Sequence, residues 1–508
     1  MTGRLFAWAA ALLLLLPGTA ARAADGEERT ARLFDSIVGD PARLRVFLKA
    51  MPKGGDLHNH LSGAPYAEDY LRWAGERGWC IATATSALVP PPCVGVARVP
   101  AAGLSSRDGA LYQRMIDALS MRGHLAGVGA NDMSGHDAMF GSFGRFGDFS
   151  DVVSGESLVA VRRMAAADRV SYLELIFNPP SVDRFAGETR DPAWRAEDMA
   201  AAHARMKPML PALLAKARAE VDGAEADARA ALHCGAAADA AACAIETRYI
   251  AYGARVLPPA QLFRELVLIF AMAAADPRFV AINLVAPEDD PASLENYALT
   301  MRMIGFLAPL YPGVHRTLHA GELAAGLVPP GALADHVGQA VAIAGAERIG
   351  HGSDIAHEVD SIATLARMAR DRVAVEINLV SNDEILGLRG GAHPLSLYRA
   401  AGVPVALSTD DEGVLRTDMT EQYVRAAVEH RLDYGALKSV ARDSLTYSFL
   451  PGASLWREGA GRAVVPACAD LDAPACDALA SGSPKARMQR ALERQFQRFE
   501  SGIVTARF

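Results

Sequence analysis

The 508-residue chain has no CxxC pair, no stripe of basic residues, no low-complexity tract and no long apolar run beyond its first twenty residues. Each absence narrows the function. Without CxxC, zinc-knuckle and thioredoxin-type readings are weak. A formal net charge of −8, a pI near 5.9 and the missing basic stripe disfavour nucleic acid as a partner. A neutral small molecule remains compatible with that balance. The lack of a second apolar stretch leaves only the N-terminus as a membrane segment, and there the run "LFAWAAALLLLLP" is too short to span a bilayer.

That N-terminus reads instead as a targeting segment. Arg4 precedes the apolar run, and Ala21-Arg22-Ala23 fits the small-x-small cleavage pattern of a signal peptide. Cleavage after about Ala23 would leave residues 24–508 as one exported unit, periplasmic or extracellular, with no stable membrane anchor. The six cysteines agree with export. Cys80 and Cys93, Cys234 and Cys243, and Cys468 and Cys476 form three local pairs, each able to close a short loop in an oxidising compartment. Six cysteines allow 15 pairings, and nearest-neighbour pairing is the expectation.

With 51% hydrophobic residues the chain can bury a large core. Short β-branched runs alternate with helical stretches. "DLHNHL" (56–61), "RVSYLELIF" (169–177), "AIETRYIAYGAR" (244–255), "FVAINLV" (279–285), "HRTLHA" (315–320), "ERIGHG" (347–352), "VAVEINLV" (373–380) and "PVALS" (404–408) read as eight strands. Between two of them, Leu333, Val337, Val341 and Ala344 repeat at helical spacing. Strands buried on both faces and separated by helices predict a (β/α)8 TIM barrel. Two insertions interrupt the repeat: about 76–150 after the first strand, and about 192–243, Ala-rich and charged, after the second. "SPKARMQRALERQFQRF" reads as a terminal helix, with Ser483 as N-cap and Met488, Leu492, Phe496 and Phe499 on its packed face.

Polar residues gather at the strand ends, where the βα loops of such a barrel converge. His58 and His60 lie on one face of the first strand, since strand side chains alternate. His319 and Glu322 follow strand five in "HAGE", His351 ends strand six in "GHG", and Asp410 and Asp411 end strand eight in "STDDEG". His58, His60, His319 and Asp410 make a three-imidazole, one-carboxylate set suited to one Zn²⁺ per chain, a metal that lowers the pKa of water to about 7. Glu322 and His351 remain free to orient the nucleophile and move protons. Phe140, Phe143, Phe146 and Phe149 recur every third residue and read either as a wall of the substrate pocket or as a hydrophobic plug. His357, in "DIAHEV", reads as a surface residue.

"MPKGGDLHNHLSGA", "LHAGE", "RIGHGSDI", "NLVSN", "AHPL" and "LSTDDEGV" resemble the adenosine deaminase family in order and spacing, over roughly residues 50–450. The leader and the cysteine-bearing insertion resemble the exported branch that includes the adenosine-deaminase-related growth factors. The resemblance implies a single-zinc barrel enzyme hydrolysing the 6-amino group of adenosine, and of 2′-deoxyadenosine, to give inosine and ammonia. It assigns His58, His60, His319 and Asp410 as metal ligands and Glu322 as the acid that protonates purine N1. His351 matches the group that orients the nucleophile, and Asp411 the group that hydrogen-bonds N7. Some members of the exported branch dimerise, so a homodimer is an open expectation.

Three positions depart from the family pattern. Ser62 stands where a carboxylate usually meets the ribose 5′ hydroxyl. Ala286 stands where a glycine amide meets purine N3, and Glu412 where a proline follows the paired aspartates. These departures leave room for another aminopurine or modified nucleoside as substrate. A catalytically silent nucleoside-binding or signalling protein is a further alternative, although no ligand or acid is replaced. Two-metal relatives use a bridging lysine on strand four, whereas none of the six lysines lies in "FVAINLVAPEDD". The zinc deaminases with H-x-E and PCxxC motifs are also excluded, since neither motif occurs.

Overall fold

In a computed structural model, residues 19–124, 133–188, 190–236, 239–457 and 463–503 are described. Eight parallel strands form one sheet in sequential order: β1 (Gly54–His60), β2 (Val170–Ile176), β3 (Glu246–Ala254), β4 (Phe279–Val285), β5 (His315–Ala320), β6 (Arg348–His351), β7 (Ala374–Ile377) and β8 (Val405–Leu407). A parallel bridge between Asn59 and Asp410 closes the sheet on itself, making the (β/α)8 barrel. The two bonds at this seam are His60 N–H to Asp410 O and Asp410 N–H to His58 O, both 2.9 Å. All eight strands run as the sequence predicts, with one trimmed. The apolar stretch 373–380 is strand only to Ile377, and its end turns into the helix Leu379–Leu386. A short apolar run carries no periodicity that separates strand from buried helix.

The helix predicted through Leu333, Val337, Val341 and Ala344 is also broken. A 3₁₀ turn (Pro330–Leu333) precedes a short α-turn (His336–Gln339) that passes into a π-turn (Ala340–Ala344). Tertiary contacts set this path. The Glu358 carboxylate accepts from Gly338 N–H, and His336 Nδ1 bonds Glu288 Oε1 at 2.6 Å.

Between β1 and β2 the chain builds a second, smaller core. A three-stranded antiparallel sheet (80–82, 87–89 and 98–100) and the helix Gly135–Ser150 pack around Tyr70, Trp73, Ile81, Phe146 and Phe149. The four phenylalanines therefore divide: Phe146 and Phe149 are core, whereas Phe140 and Phe143 face the mouth of the barrel. Residues 199–206, 210–231 and 240–243 are helices in the second predicted insertion. The terminal helix Pro484–Ile503 is capped by Ser483 Oγ, which accepts from Ala486 N–H at 3.1 Å, and it buries Met488, Leu492 and Phe496.

Disulfides join Cys80–Cys93, Cys234–Cys243 and Cys468–Cys476, the three nearest-neighbour pairs. The apolar run of the predicted leader lies outside the described residues, and a helix spans Thr19–Ile37, across the expected cleavage position. Among the described residues no helix is long and apolar enough to cross a membrane.

Inside the barrel, Arg348 is 1% exposed and held between two buried carboxylates: its Nη2 meets Glu174 Oε2 and its Nε meets Glu376 Oε1, both at 2.5 Å. The Phe449 ring lies 3.9 Å from the guanidinium. Removing one partner of a buried ion cluster strands the other charges. Arg348→Met should therefore lower unfolding free energy by about 3–5 kcal/mol, checked by denaturant titration. A loss under 1 kcal/mol would show that the two carboxylates are neutral or solvated.

Candidate metal centre and active site

Four side chains converge at the C-terminal mouth of the barrel. His58 and His60 come from β1, His319 from β5, and Asp410 from the turn after β8. One donor atom from each lies within 4.8 Å of every other. His60 Nε2 and His319 Nε2 are 3.2 Å apart, while Asp410 Oδ1 stands 3.3 Å from His60 Nε2 and 3.4 Å from His58 Nε2. A tetrahedron with bonds of about 2.0–2.1 Å has edges of about 3.3 Å, so these separations suit ligands sharing one ion. His58 Nε2 is buried with no hydrogen-bond partner, as a lone pair kept for a metal would be. Three nitrogens and one carboxylate oxygen fit a borderline divalent ion.

The far side of each ring explains why the lone pairs face inward. His58 Nδ1–H donates to Glu376 Oε2 at 2.7 Å, and His319 Nδ1–H to Asn283 Oδ1 at 3.1 Å. Either bond commits the ring proton to Nδ1 and leaves Nε2 free to ligate. Burial alone would raise the Glu376 carboxyl, but the Arg348 charge and the His58 bond outweigh it and hold the group at about 2. Burial likewise opposes charge on His58, yet Asp410 and Glu376 carry that ring up to about 10. The cluster thus favours a positive charge at this point, and a bound cation would supply it.

Glu322 and His351 stand beside the donor set. His351 Nε2 is 3.6 Å from Glu322 Oε1 and 3.8 Å from Asp410 Oδ2. A relay fixes the His351 tautomer. The backbone N–H of Leu395 can only donate, so His393 Nδ1 accepts (3.2 Å) and His393 Nε2–H donates to Asn382 Oδ1 (3.0 Å). Asn382 Nδ2–H then donates to His351 Nδ1 at 2.9 Å, which leaves the His351 proton on Nε2, facing the site. Burial lowers His351 to about 3, so it acts as a neutral donor.

Glu322 is oriented by a carboxylate three residues beyond strand four. Glu288 accepts from Gly321 N–H (3.0 Å) and Glu322 N–H (2.9 Å), and also binds His336 and Arg255. Gly321 is needed there, because its φ is +71° and a Cβ would lie 2.1 Å from Asp354 Oδ1. Burial raises the Glu322 carboxyl to about 8, with the Asp410 charge adding to the effect. Burial and then Asp410 also raise Asp411 well above the carboxylate range. Its Oδ1 is buried without a partner, so the group is available to a substrate.

A cavity of about 310 Å³ joins these groups. His60, His319, Glu322, Asp410 and Asp411 form its polar end; Met139, Phe140, Phe143 and Ile385 form its apolar walls. Ser62 and Ala286 line it as well, so every predicted site residue except His58 and His351 reaches this cavity directly. Ala286 has φ +79°, a conformation that favours glycine and agrees with the family pattern at that position. Glu412 is buried beside the cavity, not in it, and His357 is exposed. Sequence reasoning missed Glu376, Asn283, Asn382, His393 and Glu288 as functional supports, although "NLVSN" and "AHPL" contain Asn382 and His393.

Asp410→Ala should abolish stoichiometric binding of a divalent transition metal, as metal analysis of the purified protein would report. Full retention of metal would remove Asp410 from the ligand set.

A family model described as adenosine deaminase matches residues 157–455, more than half of the chain. His319, Glu322, His351, Asp410 and Asp411 fall inside that span, and His58 and His60 precede it. An adenosine deaminase of Klebsiella pneumoniae is 34% identical over 139 residues, 27% of this chain and 38% of that protein. An aminodeoxyfutalosine deaminase of Streptomyces coelicolor is 30% identical over 170 residues, 32% of this chain and 41% of that protein. The chain thus spans about four-tenths of the length of these curated relatives. Among solved structures, an adenine deaminase from Arthrobacter aurescens superposes with TM-score 0.50 at 16% identity, covering 79% of this chain and 94% of that one. An amidohydrolase from Burkholderia ambifaria with bound Zn gives 0.51 at 17% identity, covering 91% and 95%. Those two likenesses concern the fold. On the extent of the family match, the chain belongs to the adenosine deaminase family.

Proposed function

We propose that this protein is an exported, zinc-dependent purine deaminase that converts adenosine, and 2′-deoxyadenosine, to inosine and ammonia. The observation that carries the reading is the placement of Glu322 and His351 beside a four-donor cluster, with Asp411 on the wall of the same cavity. Zinc held by His58, His60, His319 and Asp410 would make water nucleophilic near neutral pH.

The residues divide the remaining work. Glu322, raised to about 8 by burial, carries a proton at neutral pH and can deliver it to ring N1, which makes C6 electrophilic. His351 presents Nε2–H to the attacking water and sets its direction. Asp411, kept protonated by burial, can donate to ring N7. Phe140, Phe143 and Met139 close an apolar wall that accepts a flat base and limits water. Water oxygen bonds C6 as N1 takes the Glu322 proton; one water proton restores Glu322, the other passes to the 6-amino nitrogen, and the C6–N bond breaks with release of ammonia.

A second reading, deamination of another aminopurine or modified nucleoside, is favoured by Ser62 and Ala286, which bear on recognition and not on the reacting groups. Both readings share one chemistry and differ in substrate.

The purified protein should consume adenosine, seen as loss of ultraviolet absorbance, with inosine as product and with inhibition by a chelator that zinc reverses. Glu322→Gln should keep its metal and lose at least a hundredfold in kcat, consistent with the roughly 10²–10⁴-fold contribution of a general acid. Wild-type turnover in that variant would overturn the acid assignment, and no turnover of any aminopurine by the zinc-loaded protein would overturn the function. Asn382→Leu tests the relay. Metal content should stay while kcat falls roughly 10–100-fold with little change in KM. Unchanged kcat would show that the tautomer is set without it.

A further inference from the structure

A second chamber of about 300 Å³ opens beside the reacting cavity, and the two share Ser62, Phe143 and Tyr252 as walls. It lies over the ends of β1, β2 and β3, at Leu61, Ile176, Phe177 and Asn178, and under the helix Gly135–Ser150. The donor cluster stands on β1, β5 and the turn after β8. A substrate whose reacting carbon sits among Glu322, His351 and Asp410 would have this space next to its Ser62 side. Ser62 is the smallest of the three shared walls, beside the aromatic rings of Phe143 and Tyr252.

The chamber wall is acidic: burial raises Asp183 to about 6 and Asp151 to about 7, which leaves partial negative charge near neutral pH. Asp148, Asp151 and Asp183 are on its wall, and among the described residues no lysine, arginine or histidine lines it. Arg184 acts on Asp151 through space but does not line the cavity. Asp183 is fixed by Asn178 Nδ2–H at 2.8 Å and by Tyr252 O–H at 2.9 Å. Asn178 is in turn held by the backbone of Tyr252, which accepts from its Nδ2 (2.9 Å) and donates to its Oδ1 (3.1 Å). Asp183 is thus anchored to Tyr252, one of the walls the two spaces share. Hydroxyls of Ser150, Ser154 and Ser157 belong to the same wall residues. A phosphate placed here would meet carboxylates without a cation to bind it, whereas an ammonium would meet complementary charge.

We propose that this chamber is a specificity subsite for a positively charged substituent on the part of the nucleoside remote from the reacting carbon, and that it excludes nucleotides. The proposal rests on the purine deaminase reading and adds its substrate class: purine nucleosides carrying an amine-bearing arm in place of the free 5′ hydroxyl.

The test uses two adenosine derivatives of equal length, the 5′-O-(3-aminopropyl) and 5′-O-(2-carboxyethyl) ethers, with adenosine and adenosine 5′-monophosphate alongside. The zinc-loaded full protein should turn over the amine at a kcat/KM at least tenfold above the acid, with the monophosphate poorest. In Asp148→Asn/Asp151→Asn, a pair chosen at exposed positions, that ratio should fall by at least threefold. Raising salt should narrow it in the wild type, because exposed charges are screened. Turnover of adenosine with equal rates for the matched pair, or a ratio the double variant leaves intact, would overturn the subsite. Calorimetric Kd values for the pair separate this from the chemistry. If nothing is turned over, the function falls, and the subsite still stands on a tenfold preference in Kd or falls with equal values.

Discussion

Arg348 is the charge on which the reacting end of the barrel depends. A guanidinium that is 1% exposed would be prohibitive alone, and it persists because Glu174 and Glu376 meet it from opposite sides of the barrel interior. Tyr447 O and the Phe449 ring complete its surroundings, and Glu174 also accepts from Tyr172 O–H and Phe449 N–H. The consequence reaches the donor cluster through one carboxylate. Because Arg348 and Thr317 take Glu376 Oε1, Oε2 is left for His58 Nδ1–H, and the opposite nitrogen of that ring must face the mouth. A buried ion cluster is weak evidence for stability, but here it selects one tautomer of one ligand.

A second constraint ties folding to the site. The barrel closes through the backbone of His58, His60 and Asp410, three of the four donors. Side chains that must converge on one point are therefore carried by the strand pair whose hydrogen bonds complete the sheet. The geometry is not relaxed everywhere. His351 and Asp410 adopt φ values of +66° and +63°, which cost energy in residues with a Cβ. Asp410 lines the cavity and His351 stands beside it, and both are held by hydrogen bonds from neighbouring elements. Strain at these two positions is tolerable because the surrounding barrel over-determines them.

What the sequence revealed follows from where chemistry lies relative to local pattern. His58 and His60 are two residues apart on a strand, and His319, His351 and Asp410 each end a β-branched run, so spacing alone points them to one mouth. The supports were hidden because their partners are remote in sequence. Glu376 is 318 residues from His58, and its own run, "VAVEINLV", shows only Glu376 and Asn378 as polar residues in an apolar stretch. Asn382 sits where that run becomes a helix, a change with no periodic signal in so short a segment. Glu288 follows strand four with no periodic pattern to mark it, and only the fold brings it beneath the backbone of Glu322. The broken helix at 330–344 has the same origin, since His336 and Gly338 answer to Glu288 and Glu358, not to their neighbours in sequence.

The barrel carries the polar end of the cavity, while the insertion after β1 supplies Met139, Phe140 and Phe143 to its apolar wall. The helix Gly135–Ser150 lays Met139, Phe140 and Phe143 over the cavity and buries Phe146 and Phe149 in a core separate from that of the barrel. It is pinned at one end, where His136 Nε2 meets Asp289 Oδ1 at 3.0 Å in the loop that also carries Ala286 and Glu288. The insertion is joined to the loop after β8 by Met121 N–H to Val414 O at 2.8 Å. The roof thus has its own apolar core and is registered to the reacting groups by a few polar contacts. Changes in the roof can alter cavity shape and charge without disturbing Arg348, Glu376 or the donor cluster.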